Sequence, residues 1–209
     1  MMTELAHEPD LGHHDEHEST GVENRKLGMW LFLSSEFLFF GALISNYLLY
    51  STRAGFSSPY PAEIYDIPFT SVSSFVLLMS SLTMVLAHNA LTRGDMNGTR
   101  TWLFATAALG SVFLGGQVFE FTEFIVNFDM KLTTNPAASA FYVLTGFHGT
   151  HVALGVIMLL SLWGISRRPG GLSEKHGMNL ELVGLYWHFV DIIWIVIFTV
   201  VYLLSVPPA

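Results

Sequence analysis

The sequence of 209 residues contains no cysteine. This absence excludes disulfide bonds, zinc sites with thiolate ligands, iron–sulfur clusters and copper sites that depend on thiolates. Charged residues are also scarce, at 12% of the chain, whereas 51% of the residues are hydrophobic. The nine Lys and Arg residues are too few for the basic face that a nucleic-acid partner requires. Scarce charge and abundant apolar side chains are typical of an integral membrane protein.

The negative charge of the chain is concentrated at its beginning. Seven of the 17 acidic residues lie among the first 24 residues, so the remainder is close to neutral. Residues 1–25 are polar and rich in Glu, Asp and His, which predicts a flexible solvated tail. The four His residues of this tail could bind a divalent metal ion, but a tail without fixed ligand geometry is the favoured interpretation.

The first long apolar run is Leu27–Tyr50, which is flanked by Arg25, Lys26 and Arg53. About 20 residues of helix cross the hydrocarbon core of a bilayer, so this run is long enough to span it. Its twelve Leu, Ile and Phe side chains outweigh the insertion cost of one acid, Glu36, near its centre. We therefore predict a transmembrane helix whose Glu36 carboxyl is buried among protein partners within a helical bundle.

Four further apolar runs of similar length follow, joined by short connections. The predicted fold class is therefore an all-α integral membrane protein, a bundle of five transmembrane helices over residues 26–209. The additional predicted spans are Pro68–Leu91, Thr101–Phe124, Ala138–Ile165 and Leu180–Val206.

The basic residues near the span ends are distributed unequally between the two sides of the predicted bundle. Seven Lys and Arg residues fall on the side of the N-terminus and two on the other side. Under the positive-inside rule this asymmetry predicts a cytoplasmic N-terminus and a C-terminus outside.

The polar residues within the spans are the candidate functional residues. Ionisable groups in a membrane are costly and often serve as proton relays, ion sites or counter-charges. The alternative is that they hold helices, partner subunits or lipid together. It is favoured for Glu120 and Glu123 and for Asp191 with His188, whereas for Glu36 the two interpretations are evenly matched. The candidates are Glu36, Gln117, Glu120, His148, His151, Trp187, His188, Asp191 and Trp194.

A cofactor or active site on this chain alone is not indicated. His148 and His151 have a spacing that permits metal ligation, but His188 is the one other histidine deep in a predicted span. The spans contain no Glu-x-x-His motif, no phosphate-binding glycine loop and no nucleophile beside a base at a familiar spacing. We therefore expect neither a metal ion nor a catalytic residue here.

Four segments resemble, in order, conserved segments of subunit III of the haem–copper terminal oxidases. The resemblance covers residues 26–206, and the order of the four segments makes it specific. The segments are LGMWLFLSSEFLFFG from Leu27, GQVFEF from Gly116, AFYVLTGFHGTHVALG from Ala140 and LYWHFVDIIWIVIF from Leu185.

The resemblance implies a non-catalytic subunit of a proton-pumping oxidase in aerobic respiration, within a prokaryotic cytoplasmic membrane. Haems and copper would then belong to partner subunits. This chain would pack on subunit I, beside subunit II and possibly a small subunit IV, and would bind phospholipid. The family acid that supports proton uptake and sustained turnover corresponds to Glu36. Larger members have seven helices, so a chain with five lacks the first two.

Three alternatives remain open at this point. The electron donor of the complex could be quinol, although we favour cytochrome c. An accessory subunit of nitric oxide reductase has the same five-helix pattern. An autonomous ion or proton carrier would use Glu36, Glu120 and Asp191 as a relay.

Overall fold

The computed structural model describes residues 23–53, 59–168 and 174–204, and their regular structure is entirely helical. Five helices are long and apolar enough to cross a membrane, which confirms the predicted fold class. Most of the predicted tail, residues 1–22, lies outside the described residues. The helices are α1 (Asn24–Ser51), α2 (Pro61–Ile64), α3 (Ile67–Thr92), α4 (Met96–Phe128), α5 (Pro136–Ser166) and α6 (Glu174–Ile197), which continues as a π-helical segment (Phe198–Leu203).

The spanning helices extend beyond the apolar runs because polar residues define their ends. Asp95 Oδ1 accepts the backbone N–H of Gly98 at 2.9 Å, so α4 begins five residues before the predicted Thr101. Its other end is set by Asp129, which adopts a left-handed conformation with φ of 50°. The first of these turns, Met96–Arg100, contains polar residues that hydropathy alone does not place in a span, whereas the last, Ile125–Phe128, is mostly apolar and follows the acidic segment at which the predicted span ends.

Helix α6 packs against three of the other four spanning helices, α1, α3 and α5, whereas α1 and α3 make little contact with each other. The other contacts form a row in which α3 packs on α4, α4 on α5 and α5 on α1. Since α1 and α3 lie on different sides of α6, a groove runs along each side of that helix.

Polar contacts fasten the helix ends on the side where α1 begins. Lys26 forms an ion pair with Glu181 at 2.7 Å, which joins the start of α1 to the start of α6. Arg100 Nη2 donates to the backbone carbonyl of Ser166 at 2.6 Å, joining α4 to α5. These basic side chains therefore lie at one end of the bundle, as the predicted topology requires.

The indole of Trp187 is wedged between glycines on two neighbouring helices. A Cβ atom at Gly110 would lie 2.5 Å from the indole, and one at Gly155 would lie 2.7 Å from it. Trp187 is 1% exposed, and its Nε1 donates to Ser80 Oγ at 3.0 Å. Small residues are favoured in membrane bundles because they allow this close approach. Trp187 therefore fixes the position of α6 against α3, α4 and α5.

We predict that Gly155→Ala lowers the free energy of unfolding by about 1–3 kcal/mol, because the added methyl group would overlap Trp187. The matched control is Gly164→Ala on the same helix, where an added Cβ meets no atom within 4 Å. That control should be neutral or slightly stabilising, since Ala has the higher helix propensity. Denaturant unfolding in detergent, followed by circular dichroism, measures both, and equal stability of the two variants would contradict the wedge.

Candidate functional site

Glu36 forms a pair with His151 across α1 and α5. His151 Nε2 lies 3.2 Å from Glu36 Oε2, and the two side chains are 13% and 19% exposed. His151 Nδ1 donates to the backbone carbonyl of Phe147 at 2.8 Å, since a carbonyl oxygen only accepts. Nε2 therefore either accepts a hydrogen bond from a neutral Glu36 or donates one to its carboxylate. In both states one proton lies between the two side chains.

His148 occupies an aromatic environment one turn before His151. It is fully buried, and its ring stacks on Trp194 with centroids 4.8 Å apart. The rings of Phe40 and Phe113 approach it edge-on. Neither ring nitrogen has a hydrogen-bond partner among the described residues. The two histidines of the motif thus have different environments, one paired with an acid and one packed among aromatic rings.

Glu120 is the centre of a buried cluster near the end of the bundle opposite the start of α1. Its Oε1 accepts from the Thr70 hydroxyl at 2.8 Å and its Oε2 from the Tyr202 hydroxyl at 3.1 Å. The Tyr202 ring packs on Tyr65, whose hydroxyl lies 2.9 Å from that of Tyr47. Burial raises the pKa of Tyr65 well above its ordinary value, which keeps its hydroxyl neutral. The cluster joins α1, α3, α4 and the π-helical segment.

Gln117 lies one turn before Glu120 but contacts a different helix. Its Nε2 donates to the backbone carbonyl of Thr145 at 3.3 Å, linking α4 to α5. Its Oε1 is buried and has no hydrogen-bond partner among the described residues. This oxygen fills the space beside Gly149, where a Cβ would lie 2.9 Å from it. Gln117 is therefore a helix-packing residue of the described bundle.

The polar residues of α6 meet a row of serines on α3. Trp194 Nε1 donates to Ser74 Oγ at 2.8 Å, two turns along α6 from the bond between Trp187 and Ser80. Next to that bond, Ser81 Oγ lies 2.6 Å from His188 Nδ1.

The Ser81 hydroxyl also interacts with the carboxyl group of Asp191. His188 and Asp191, which lie three residues apart on one face of α6, therefore share one serine of α3. Asp191 is buried, and its Oδ1 has no hydrogen-bond partner among the described residues.

Sequence reasoning missed the serines, because serine is common in membrane helices and no single serine is informative. The signal was a similar spacing on two helices. Ser74 and Ser80 lie six residues apart on α3, and their partners Trp187 and Trp194 lie seven apart on the antiparallel α6. Polar residues at similar spacing on the two spans would have indicated the pairing.

The polar residues do not form a shared constellation for chemistry. Glu36 binds His151, Glu120 binds Thr70 and Tyr202, and Asp191 contacts Ser81. Within the described ranges no group of three or more His, Cys, Asp or Glu side chains could hold a metal ion. The contacts are those of residues that hold helices together within the bundle.

This arrangement defines a helical membrane protein in which each of these acids is paired within the bundle. The chain belongs to the cytochrome c oxidase subunit III family, whose profile matches residues 3–206. This confirms the resemblance found in the four sequence segments, and it identifies the chain as a subunit III of the haem–copper oxidase family.

Several relatives match this chain over nearly their whole length, and their sequence identities to it are close to one another. Cytochrome c oxidase subunit 3 of Thermostichus vulcanus is 38% identical over 92% of its own length and 91% of this chain. The protein of the same name from Alkalihalophilus pseudofirmus is 36% identical over 94% of both chains. A probable quinol oxidase subunit 3 of Staphylococcus saprophyticus is 33% identical over 96% of its length and 90% of this chain. The relatives thus include proteins named as subunits of cytochrome c oxidases and proteins named as subunits of quinol oxidases.

We predict that Thr70→Val lowers the free energy of unfolding by about 1–3 kcal/mol, because it leaves the buried Oε1 of Glu120 without its cross-helix donor. The control is Thr122→Val on α4, whose exposed hydroxyl donates to the Val118 carbonyl of its own helix. Its effect should stay within about 0.5 kcal/mol. Denaturant unfolding of the two variants compares them directly, and a Thr70→Val protein as stable as the control would refute the role of the cluster.

Proposed function

We propose that this chain is the non-catalytic subunit III of a proton-pumping haem–copper terminal oxidase, in which it packs against subunit I beside subunit II. Haems and copper would be held by those partner subunits, and phospholipid would bind to this chain. Family membership supports the assignment. The contacts among its own candidate residues are consistent with a supporting role, since they join helices rather than surround a reactive centre.

The observation that carries the functional proposal is the pair between Glu36 and His151. Both residues lie near the middle of their helices, at the depth where an unpaired ionisable group is most costly. Their side chains share one proton and remain partly exposed. A partly accessible acid–histidine pair can take up and release a proton, which suits support of proton uptake during sustained turnover.

We favour cytochrome c over quinol as the electron donor of the complex. One relative named cytochrome c oxidase subunit 3 is 41% identical to this chain and one named quinol oxidase subunit 3 is 34% identical. Since both names occur among the relatives, the preference for cytochrome c remains a proposal. The proposed location is a prokaryotic cytoplasmic membrane, with the N-terminus in the cytoplasm, where Arg25 and Lys26 begin α1.

An autonomous carrier is less well supported by the contacts. A relay would need its acids to be connected, but Glu36, Glu120 and Asp191 each bind a different set of partners. Local pairing of this kind stabilises helix contacts. The oxidase assignment therefore accounts for the described contacts more directly than a carrier does.

We predict that a tagged chain, isolated in mild detergent, carries with it a haem-containing complex that consumes O2. A reduced-minus-oxidised visible spectrum should show haem bands in the complex and none in the stripped chain. Isolation of the chain alone, colourless and self-associated, would contradict the proposal and favour a carrier. A complex that reduces nitric oxide rather than O2 would instead assign the chain to nitric oxide reductase, as an accessory subunit.

For the same complex, we predict that Glu36→Gln reduces the number of turnovers before inactivation or reduces proton pumping. The complex should still assemble. Gln preserves the size of the side chain but cannot exchange a proton with His151. Ser45→Ala is the control on α1, since its exposed hydroxyl donates to the Gly41 carbonyl of its own helix. If assembly, pumping and resistance to inactivation are all unchanged in Glu36→Gln, the proposed role of the pair fails.

A further inference from the structure

A cavity of about 510 Å³ lies in the groove between α1 and α6. Its volume falls in the range of about 300–1,000 Å³ typical of small-molecule sites. The lining is apolar and rich in aromatic rings, including Trp30, Phe37 and Phe189. His188 is its one ionisable lining residue. Ser34 donates to the carbonyl of Trp30 in its own helix, and the indole of Trp30 carries one N–H donor. The cavity thus offers flat apolar surfaces and few hydrogen-bonding groups.

His188 has one ring nitrogen committed to the protein. Its Nδ1 lies 2.6 Å from Ser81 Oγ, and Nε2 has no hydrogen-bond partner among the described residues. A serine hydroxyl can either donate or accept. If Ser81 accepts from Nδ1–H, Nε2 is left as an acceptor; if Ser81 donates to Nδ1, Nε2 carries the proton and becomes a donor. The pair can therefore present either polarity at Nε2.

The depth of His188 restricts what can pair with it. The spanning part of α6 is Gly177–Leu203, and His188 lies about 16 Å from its beginning at 1.5 Å per residue. This is close to the centre of a hydrocarbon core about 30 Å thick. Phospholipid headgroups lie at the membrane surface, about 16 Å away from His188, so they do not reach its ring. The acyl chains that do reach this depth carry no hydrogen-bonding group. Yet an unpaired polar group at this depth is costly, so a partner is expected.

We infer that the groove between α1 and α6 binds a membrane-soluble quinone or quinol, with its ring hydrogen-bonded to His188 Nε2. Such a molecule combines a flat ring, oxygens that can accept or donate, and an apolar tail that dissolves in the bilayer. A quinone carbonyl would accept from Nε2–H, and a quinol hydroxyl would donate to the other tautomer. The ring would lie against the aromatic side chains of the groove. This assignment does not depend on the proposed oxidase role or on which donor the complex uses.

Photolabelling of the full-length chain in detergent tests the inference. The probe is an azido derivative of ubiquinone with a short isoprenoid tail, and labelled peptides are mapped by mass spectrometry. We expect saturable labelling of the α1 and α6 residues that line the cavity. Ubiquinone-2 should displace the probe, whereas phosphatidylethanolamine at the same mole fraction should not.

Three variants make the test specific. His188→Ala should weaken competition by ubiquinone-2 by about two- to tenfold, as expected for one lost hydrogen bond. Ser34→Trp should abolish labelling by filling the cavity, and it decides the matter if His188→Ala fails to fold. His88→Ala is the histidine control, because His88 lines a neighbouring cavity of about 190 Å³ between α3 and α6, which His188 also borders, but does not line the cavity between α1 and α6. It should label like the unaltered chain.

Several results would overturn the inference. Labelling that does not saturate, or that maps outside α1 and α6, would show no site in this groove. Equal displacement by phosphatidylethanolamine would show that the groove holds lipid. Unchanged labelling in both His188→Ala and Ser34→Trp would place the quinone elsewhere on the chain.

Discussion

The interior of a bilayer supplies no water, so a polar side chain within it must find a partner in the protein or pay the cost of desolvation. This constraint accounts for the main contacts between the helices. Glu36 meets His151, Glu120 accepts from Thr70 and Tyr202, and serines of α3 face the indoles of α6. Each polar residue thus fixes the rotation of its helix, since only one face can reach the partner.

Helix α6 has the greatest number of these constraints. Trp187 requires the glycines at 110 and 155, and Trp194 stacks on His148 while it donates to Ser74. A larger residue in place of one of these glycines and the loss of the Ser74 hydroxyl are therefore expected to disturb the same packing around α6. Contacts of the polar residues in the family motifs hold this packing together, which accounts for several ionisable groups at membrane depth.

The sequence was sufficient to predict the five spans, because about 20 apolar residues in a row have few other structures available to them. It also singled out Glu36, His151 and Asp191 as residues that need partners. It could not identify those partners, since pairing depends on how helices rotate and pack. A partner for Glu36 in lipid or in another subunit was as reasonable as His151, and Ser81 gave no signal of its own. The helix ends were missed because capping residues such as Asp95 are polar.

A double-mutant cycle on Glu36 and His151 tests most directly whether polar residues at membrane depth pair within this chain. Glu36→Leu, His151→Leu and the double variant would be compared by their free energies of unfolding in detergent. The account predicts a coupling of about 1–3 kcal/mol, because each single variant leaves a partner unpaired in the bundle. Effects that add to within about 0.5 kcal/mol would contradict it, since they would show that the two side chains do not stabilise each other.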